Sequence, residues 1–116
     1  MRAEELITFT HDAGRVTACW RGDIDLAVSS TIQERTLEAV GNMDDSLVLD
    51  LSAVSYIDSA GLRSLVSMRK LLDARQQRLV LVLPEDSPLR RTLEIGGVLR
   101  VVPMYATLGD AAIALG

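Results

Sequence analysis

Apolar and polar positions change period several times along this chain, and each change marks an element. Leu6 to Thr10 and Val16 to Trp20 read as short strands joined by the turn-forming His11-Asp12-Ala13-Gly14. A break at Gly22 leads to a helix from about Ser29 to Val40, ended by Gly41-Asn42. Ser46 to Leu51 (SLVLDL) is nearly continuous in apolar residues, as expected of a strand covered on both faces. A second helix follows from about Ser59 to Arg75. Leu62, Leu65, Val66 and Leu72 share one stripe of it, while Arg63, Arg69, Lys70 and Arg75 fall largely off that stripe.

Arg78 to Leu83 (RLVLVL) predicts another buried strand, stopped by Pro84. Ser87 followed by Pro88 is a helix start, and Gly96-Gly97 supplies its left-handed end. Val98 to Val102 reads as a last strand, and Thr107-Leu-Gly-Asp110 opens a terminal helix. The predicted order is β-β-α-β-α-β-α-β-α. Such alternation implies an α/β fold with a mixed β-sheet and right-handed crossovers, the initial hairpin adding an antiparallel part.

A length of 116 residues predicts one domain, 1–116, able to bury a core without staples. Aromatics make up only 3% of the chain, so that core is built from Val, Leu, Ile and Ala. The single cysteine, Cys19, excludes an internal disulfide and reads as a small buried hydrophobe rather than a reactive thiol. The start MRAEELITFT carries two glutamates where a secretory signal has an apolar core, and no apolar run approaches the ~18 residues that span a bilayer. A soluble, cytoplasmic protein is expected. The net charge of −4 argues against a dedicated nucleic-acid binder. Residues 21–60 hold 2 basic and 8 acidic side chains, whereas residues 61–100 hold 8 basic and 4 acidic. That division fits a protein partner steered by charge, and equally two solvated faces that happen to differ.

A serine at a strand-to-helix turn invites a hydrolase reading, but the nucleophile elbow requires G-x-S-x-G. Ile57 stands where the first glycine belongs, and Ala60-Gly61 gives the wrong spacing after Ser59. His11, the one histidine, reads as a solvated turn residue. A phosphoacceptor receiver domain would use Asp50, but it also needs a Mg²⁺-binding acidic pair after the first strand and a lysine after the last. Thr10-His11-Asp12 follows the first strand, Asp23 and Asp25 follow the second, and the only lysine, Lys70, lies inside a helix away from Val102-Pro103. Asp50 is better read as a strand-end carboxylate accepting hydrogen bonds. There is no metal-ligand spacing, no P-loop and no G-x-G-x-x-G, so neither an enzyme, a metal nor a cofactor is expected.

Residues 47–62, LVLDLSAVSYIDSAGL, resemble the STAS domain family of anti-sigma factor antagonists: an apolar strand, Asp-Leu-Ser, a hydrophobic hinge, then Asp-Ser-small-Gly-Leu opening a helix. Gly22-Asp23-Ile24-Asp25 resembles the family's Gly-x-hydrophobic-Asp, and RLVLVLPEDSPLRRTLEIGGVLRVVPMYATLGDAAIAL resembles its late strand, short helix, last strand and terminal helix. The resemblance implies a STAS fold and a partner-switching function. Ser59 would be the phosphoacceptor for an anti-sigma factor that is itself a serine kinase, with a phosphatase acting on phospho-Ser59. Asp25, Asp58, Ser59, Ala60, Gly61 and Leu62 would lie at or near the partner-binding surface. Bound to the unphosphorylated chain, the anti-sigma factor would release its sigma factor.

The sequence departs from the family's frequent pattern at Ala60, in place of a second hydroxyl residue, and at Gly96-Gly97. The family also holds unphosphorylated scaffolds and transporter-associated domains, so a binding subunit of a transporter or sensory complex is the alternative. Read locally, Ser59 is also a helix N-cap, and one serine can serve both roles.

Overall fold

The computed structural model describes residues 2–116. After a 3₁₀ turn at Ala3–Leu6 come β1 (Ile7–Asp12), β2 (Arg15–Ile24), α1 (Leu26–Ala39), β3 (Ser46–Ile57), α2 (Ser59–Ala74) and β4 (Arg78–Val82). Then follow α3 (Leu89–Ile95), a 3₁₀ turn at Val98–Arg100, β5 (Met104–Tyr105) and α4 (Leu108–Leu115). The five strands form one mixed sheet in the order β1-β2-β3-β4-β5, antiparallel at the β1–β2 hairpin and parallel elsewhere.

Because successive strands are added in one direction, right-handed crossovers place α1, α2 and α3 on the same sheet face. That face holds the main core: Leu47, Leu49 and Leu51 of β3 and Leu79, Leu81 and Leu83 at β4 meet Ile32 of α1, Leu65, Met68 and Leu72 of α2, and Leu93 of α3. On the opposite face Val48, Val80 and Val82 pack under Ala111 of α4. Residues 46–51 of β3 and 79–82 of β4 are therefore covered on both faces, which is why these segments read as continuous apolar runs, whereas Ser52, Ala53, Ser55 and Tyr56 of β3 are exposed.

Several boundaries depart from the sequence-based expectation for identifiable reasons. The hairpin turn is only Ala13-Gly14, with φ of 45° and 81°, so His11 and Asp12 extend β1. Gly22 does not break β2. The strand runs through it with φ 76° and a register shift between Gly22 and Asp23, a β-bulge. Helix α1 starts at Leu26 rather than Ser29, because Asp25 caps it. Strand β3 continues to Ile57, past Val82, where β4 stops opposite Asp50. Asp50 is thus not at a strand end, although its Oδ1 does accept hydrogen bonds from the Ser52 N–H (2.9 Å) and hydroxyl (2.6 Å).

The expected strand Val98–Val102 is instead a 3₁₀ turn after Gly97 (φ 75°), and the last strand is Met104–Tyr105. Val98 and Val102 are buried as core plugs, which a short apolar run signals as well as a strand does. Cys19 is half-buried, its Sγ 3.7 Å from Asp50 Oδ2. Burial first, then the Asp50 carboxylate, pushes its pKa up, so the thiolate is disfavoured.

Two polar contacts tie the first strands to the rest of the fold, a buried one to α1 and a half-buried one to the loop between α1 and β3. Trp20 Nε1 donates to Thr36 Oγ1 (3.0 Å), whose hydroxyl donates to Ile32 O (2.6 Å). His11 is no free turn residue: its Nε2 lies 2.6 Å from Oδ1 of the buried Asp44, while Gly41 N donates to Asp44 Oδ2 (2.7 Å). Gln77 Nε2 closes the same corner on the carbonyls of Gly41 and Asp44, both at 2.8 Å.

Thr36→Val keeps the shape but leaves the Trp20 N–H buried without an acceptor, so stability falls by about 1–3 kcal/mol, read as a lower urea midpoint at unchanged slope. The hydrogen bond to His11 first, and that to Gly41 next, hold the Asp44 carboxyl below the usual carboxylate range. A depressed folded-state pKa gives stability that is present at neutral pH and lost as pH falls through that pKa. Asp44→Asn is therefore expected to flatten the loss of stability below about pH 4, measured by urea denaturation across an acid series.

Candidate functional site

The parallel pair β2–β3 ends in register at Ile24 and Ile57, and a helix begins directly after each strand. Two helix N-termini therefore lie side by side at the carboxyl edge of the sheet, the usual place for a site in α/β folds. Each start presents unpaired backbone N–H groups that need acceptors. Asp25 caps α1, its Oδ1 accepting from Ala27 N at 3.0 Å. Asp58 caps α2, its Oδ1 accepting from Gly61 N at 3.0 Å, and its Oδ2 reaches across to accept from Leu26 N of α1, also at 3.0 Å. Asp58 N in turn donates to Ile24 O. One carboxylate thus locks the two helix starts together. Its pKa is held below the ordinary value, chiefly by the Gly61 N–H, with Leu26 N, Ala60 N and the Arg63 charge adding to the effect.

With Asp58 as the cap, Ser59 is not the N-cap that local sequence suggested. It is the first residue of α2, exposed, with its hydroxyl released from the capping role. Ala60 and Gly61 turn inward and are buried. A Cβ on Gly61 would lie 2.5 Å from Ile57 Cγ1 and 2.7 Å from Ile24 O, so only glycine lets α2 start this close to the strand ends. Asp25 and Leu62 are half-buried, and Leu26 is 73% exposed although its amide is fixed by Asp58. The fold thus brings Asp25, Asp58, Ser59 and Leu62 to one edge, while Ala60 and Gly61 shape that edge from beneath.

Sequence reasoning missed the surface that continues from Ser59. Ser59, Leu62, Arg63, Val66, Ser67, Lys70 and Gly96 line an open groove of about 570 Å³ between α2 and the end of α3. Leu62 and Val66, grouped by spacing on one apolar stripe with Leu65 and Leu72, are half-exposed and form part of its lining, whereas Leu65, Met68 and Leu72 are buried in the core. Met68 lies on the buried stripe and shifts its centre away from Leu62 and Val66, which is the signal that separates the two groups.

Among the described residues no group of three His, Cys, Asp or Glu side chains is placed to hold a metal ion. No described helix is long and apolar enough to cross a membrane.

Comparison with known proteins places this geometry in a family. The STAS domain pattern matches residues 16–111. The anti-sigma-F factor antagonist RsfB of Mycobacterium tuberculosis is 31% identical over 90 residues, covering 78% of this chain and 72% of that protein. Sulfate transporter 3.1 of Arabidopsis thaliana is 33% identical over 85 residues, 71% of this chain but 13% of the transporter. The crystal structure of an anti-sigma factor antagonist from Mycobacterium paratuberculosis superposes with a TM-score of 0.81 at 26% identity, covering 93% of this chain and 91% of that one.

The double use of Asp58 gives a specific expectation. In Asp58→Ala, amide hydrogen exchange accelerates at Gly61 and, 32 residues away in sequence, at Leu26. Ala27, whose amide is held by Asp25, retains most of its protection. Acceleration confined to α2 would show that Leu26 is held by other means.

Proposed function

The chain belongs to the STAS domain family, and from that premise we propose that it is an anti-sigma factor antagonist, one domain over residues 1–116, working in the cytoplasm by binding rather than by catalysis. Its partner is an anti-sigma factor that is also a serine kinase. Binding draws that factor away from its sigma factor. Phosphorylation of Ser59 ends the binding, and a phosphatase restores it. Asp25, Asp58, Ser59 and Leu62 contribute to the contact surface, with Ala60 and Gly61 setting its shape.

The observation that carries this reading is the division of labour at residues 58 and 59. Asp58 satisfies the helix starts, which leaves the Ser59 hydroxyl exposed and free to accept a phosphoryl group without removing a structural hydrogen bond. A phosphate there adds a charge of about −1.5 to −2 at a helix N-terminus, where backbone N–H groups and the helix dipole tolerate it. The fold survives, and the cost falls on a fitted interface beside Asp25 and Asp58. The relatives named as anti-sigma factor antagonists support the partner class.

A second reading, a non-phosphorylated scaffold subunit, is favoured by Ala60 and by the similarity to a segment of a sulfate transporter. The two separate cleanly in one experiment. Incubated with ATP and the serine-kinase anti-sigma factors of its own genome, the chain gains one phosphoryl group at Ser59 by mass spectrometry, and Ser59→Ala gains none. Ser59→Asp weakens binding of the anti-sigma factor by about 100-fold, or ~2.7 kcal/mol, while Ser59→Ala retains it. An unmodified wild-type chain with every such kinase sinks the phosphoswitch, and recovery of transporter subunits in a pull-down then supports the scaffold.

A further inference from the structure

The groove that begins at Ser59 carries a charge pattern of its own. It follows α2 from Ser59 to Lys70, a rise of about 16 Å, and its far wall is the backbone at Gly96. A Cβ on Gly96 would lie 2.7 Å from Leu62 Cδ1, so the glycine keeps the wall low where Leu62 presses against it. Leu62 and Val66 supply apolar lining, and Ile95 stands 75% exposed beside Gly96. Arg63 and Lys70, two turns apart on α2, supply cations to the same groove.

These two cations are available. Of the three on α2, Arg69 is paired with Asp73 at 3.0 Å, and on α3 Arg90 is paired with Glu94 at 3.7 Å. Among the described residues Arg63 and Lys70 make no ion pair; the residues one turn beyond them are Ser67 and Ala74. Asp58, the carboxylate nearest the head of the groove, has its two oxygens turned to Gly61 N and Leu26 N, and Arg63 makes only the smallest contribution to its lowered pKa. An apolar channel with two unengaged cations along it complements an apolar ridge flanked by carboxylates.

We propose that the α2–α3 groove is a docking site for a short acidic amphipathic helix of the partner, its apolar side chains on Leu62 and Val66 and its carboxylates on Arg63 and Lys70. It rests on the reading of the Ser59 edge as a partner-binding face. The mode is helix-in-groove recognition, with the charges fixing direction and register. Ser59 lies at the head of the groove, one helical turn from Arg63. A phosphate on Ser59 would give Arg63 an anion within its own chain and place negative charge where the incoming carboxylate must sit. Phosphorylation would then act on the groove as well as on the residues beside Ser59.

The test uses two synthetic peptides with the same leucines at i, i+3, i+4 and i+7, one flanked by glutamates and the other by lysines, titrated into ¹⁵N-labelled full-length chain. The glutamate peptide shifts the amides of Leu62, Arg63, Val66, Lys70 and Gly96, and the lysine peptide does not. An Arg63→Glu, Lys70→Glu double variant loses at least about ten-fold in affinity for the glutamate peptide and gains binding of the lysine peptide, while Arg75→Glu changes neither. Ser59→Asp weakens the glutamate peptide in the same direction. No shifts at millimolar peptide, shifts on another surface, or equal binding of both peptides would overturn the groove as an acidic-helix site. Phosphorylation of Ser59 without peptide binding would leave the phosphoswitch standing and this site rejected. Peptide binding without phosphorylation would do the reverse.

Discussion

The geometry of the candidate edge depends on the Asp58 carboxylate, which accepts from Gly61 N of its own helix and from Leu26 N of the helix before it. Two parallel strands that end in register would otherwise leave two helix N-termini, each with several unmet N–H groups and a partial positive charge, crowded at one edge. Asp58 and Asp25 meet donors from both ends and offset the two dipoles with fixed negative charge. The cost is borne by sequence: α2 must begin within reach of Ile24 and Ile57, which requires glycine at 61 and a small residue at 60. Ser59 is the position this arrangement leaves free, pointing out of a backbone that is pinned on both sides.

The edge also stands on the boundary of the chain's charge division. The acidic segment, residues 21–60, supplies Asp25 and Asp58 at the two helix starts; the basic segment, residues 61–100, supplies Arg63 and Lys70 to the groove that begins at Ser59. The division of charge along the sequence left a steering field and two unrelated solvated faces equally admissible. The fold removes part of that ambiguity, because α2 carries the sequence directly from the acidic side to the basic groove. A single hydroxyl at the junction is where added negative charge alters both sides at once, deepening one and neutralising the other.

How much of this was legible depended on whether the deciding contact was local. SLVLDL and RLVLVL announce two-faced burial by composition, Gly97 takes the left-handed conformation, and Thr107 Oγ1 accepts from Asp110 N as its spacing suggests. The STAS resemblance picked out Asp25 in one motif and Asp58-Ser59 in another, and the fold brings the two to one edge. What failed was set by distant partners. Val98 to Val102 has no pattern that separates a strand from a plug, and the docking of Val98 and Val102 into the core decides for the plug. His11 is exposed as its reading as a solvated residue expects, but it belongs to β1 rather than the turn, and its bond to Asp44 has no local signal. Asp58 reads as a neighbour of Ser59, and only the structure reveals its second bond to Leu26. Leu62 and Val66 share the edge of a helical stripe with Leu65, but Met68 and Leu72 centre that stripe away from them, and the end of α3 at Gly96 leaves them lining a groove.

The same geometry constrains how a modification at Ser59 can act. A switch that worked by unfolding or reorienting α2 would have to break the Asp58 bonds, free Gly61 from its seat on Ile24 and Ile57, and expose Leu65, Met68 and Leu72. One phosphate at a favourable helix terminus supplies no drive for that, since its local interactions with the helix dipole are stabilising. Under the proposed phosphoswitch, the free-energy difference between the two states would therefore reside in the complex, where the charge would meet a desolvated partner surface. A rigid edge suits such a switch. If α2 keeps its seat, little of the effect of a phosphate on binding would be lost to rearrangement within the chain, and affinity for the proposed partner would be the quantity that the modification controls.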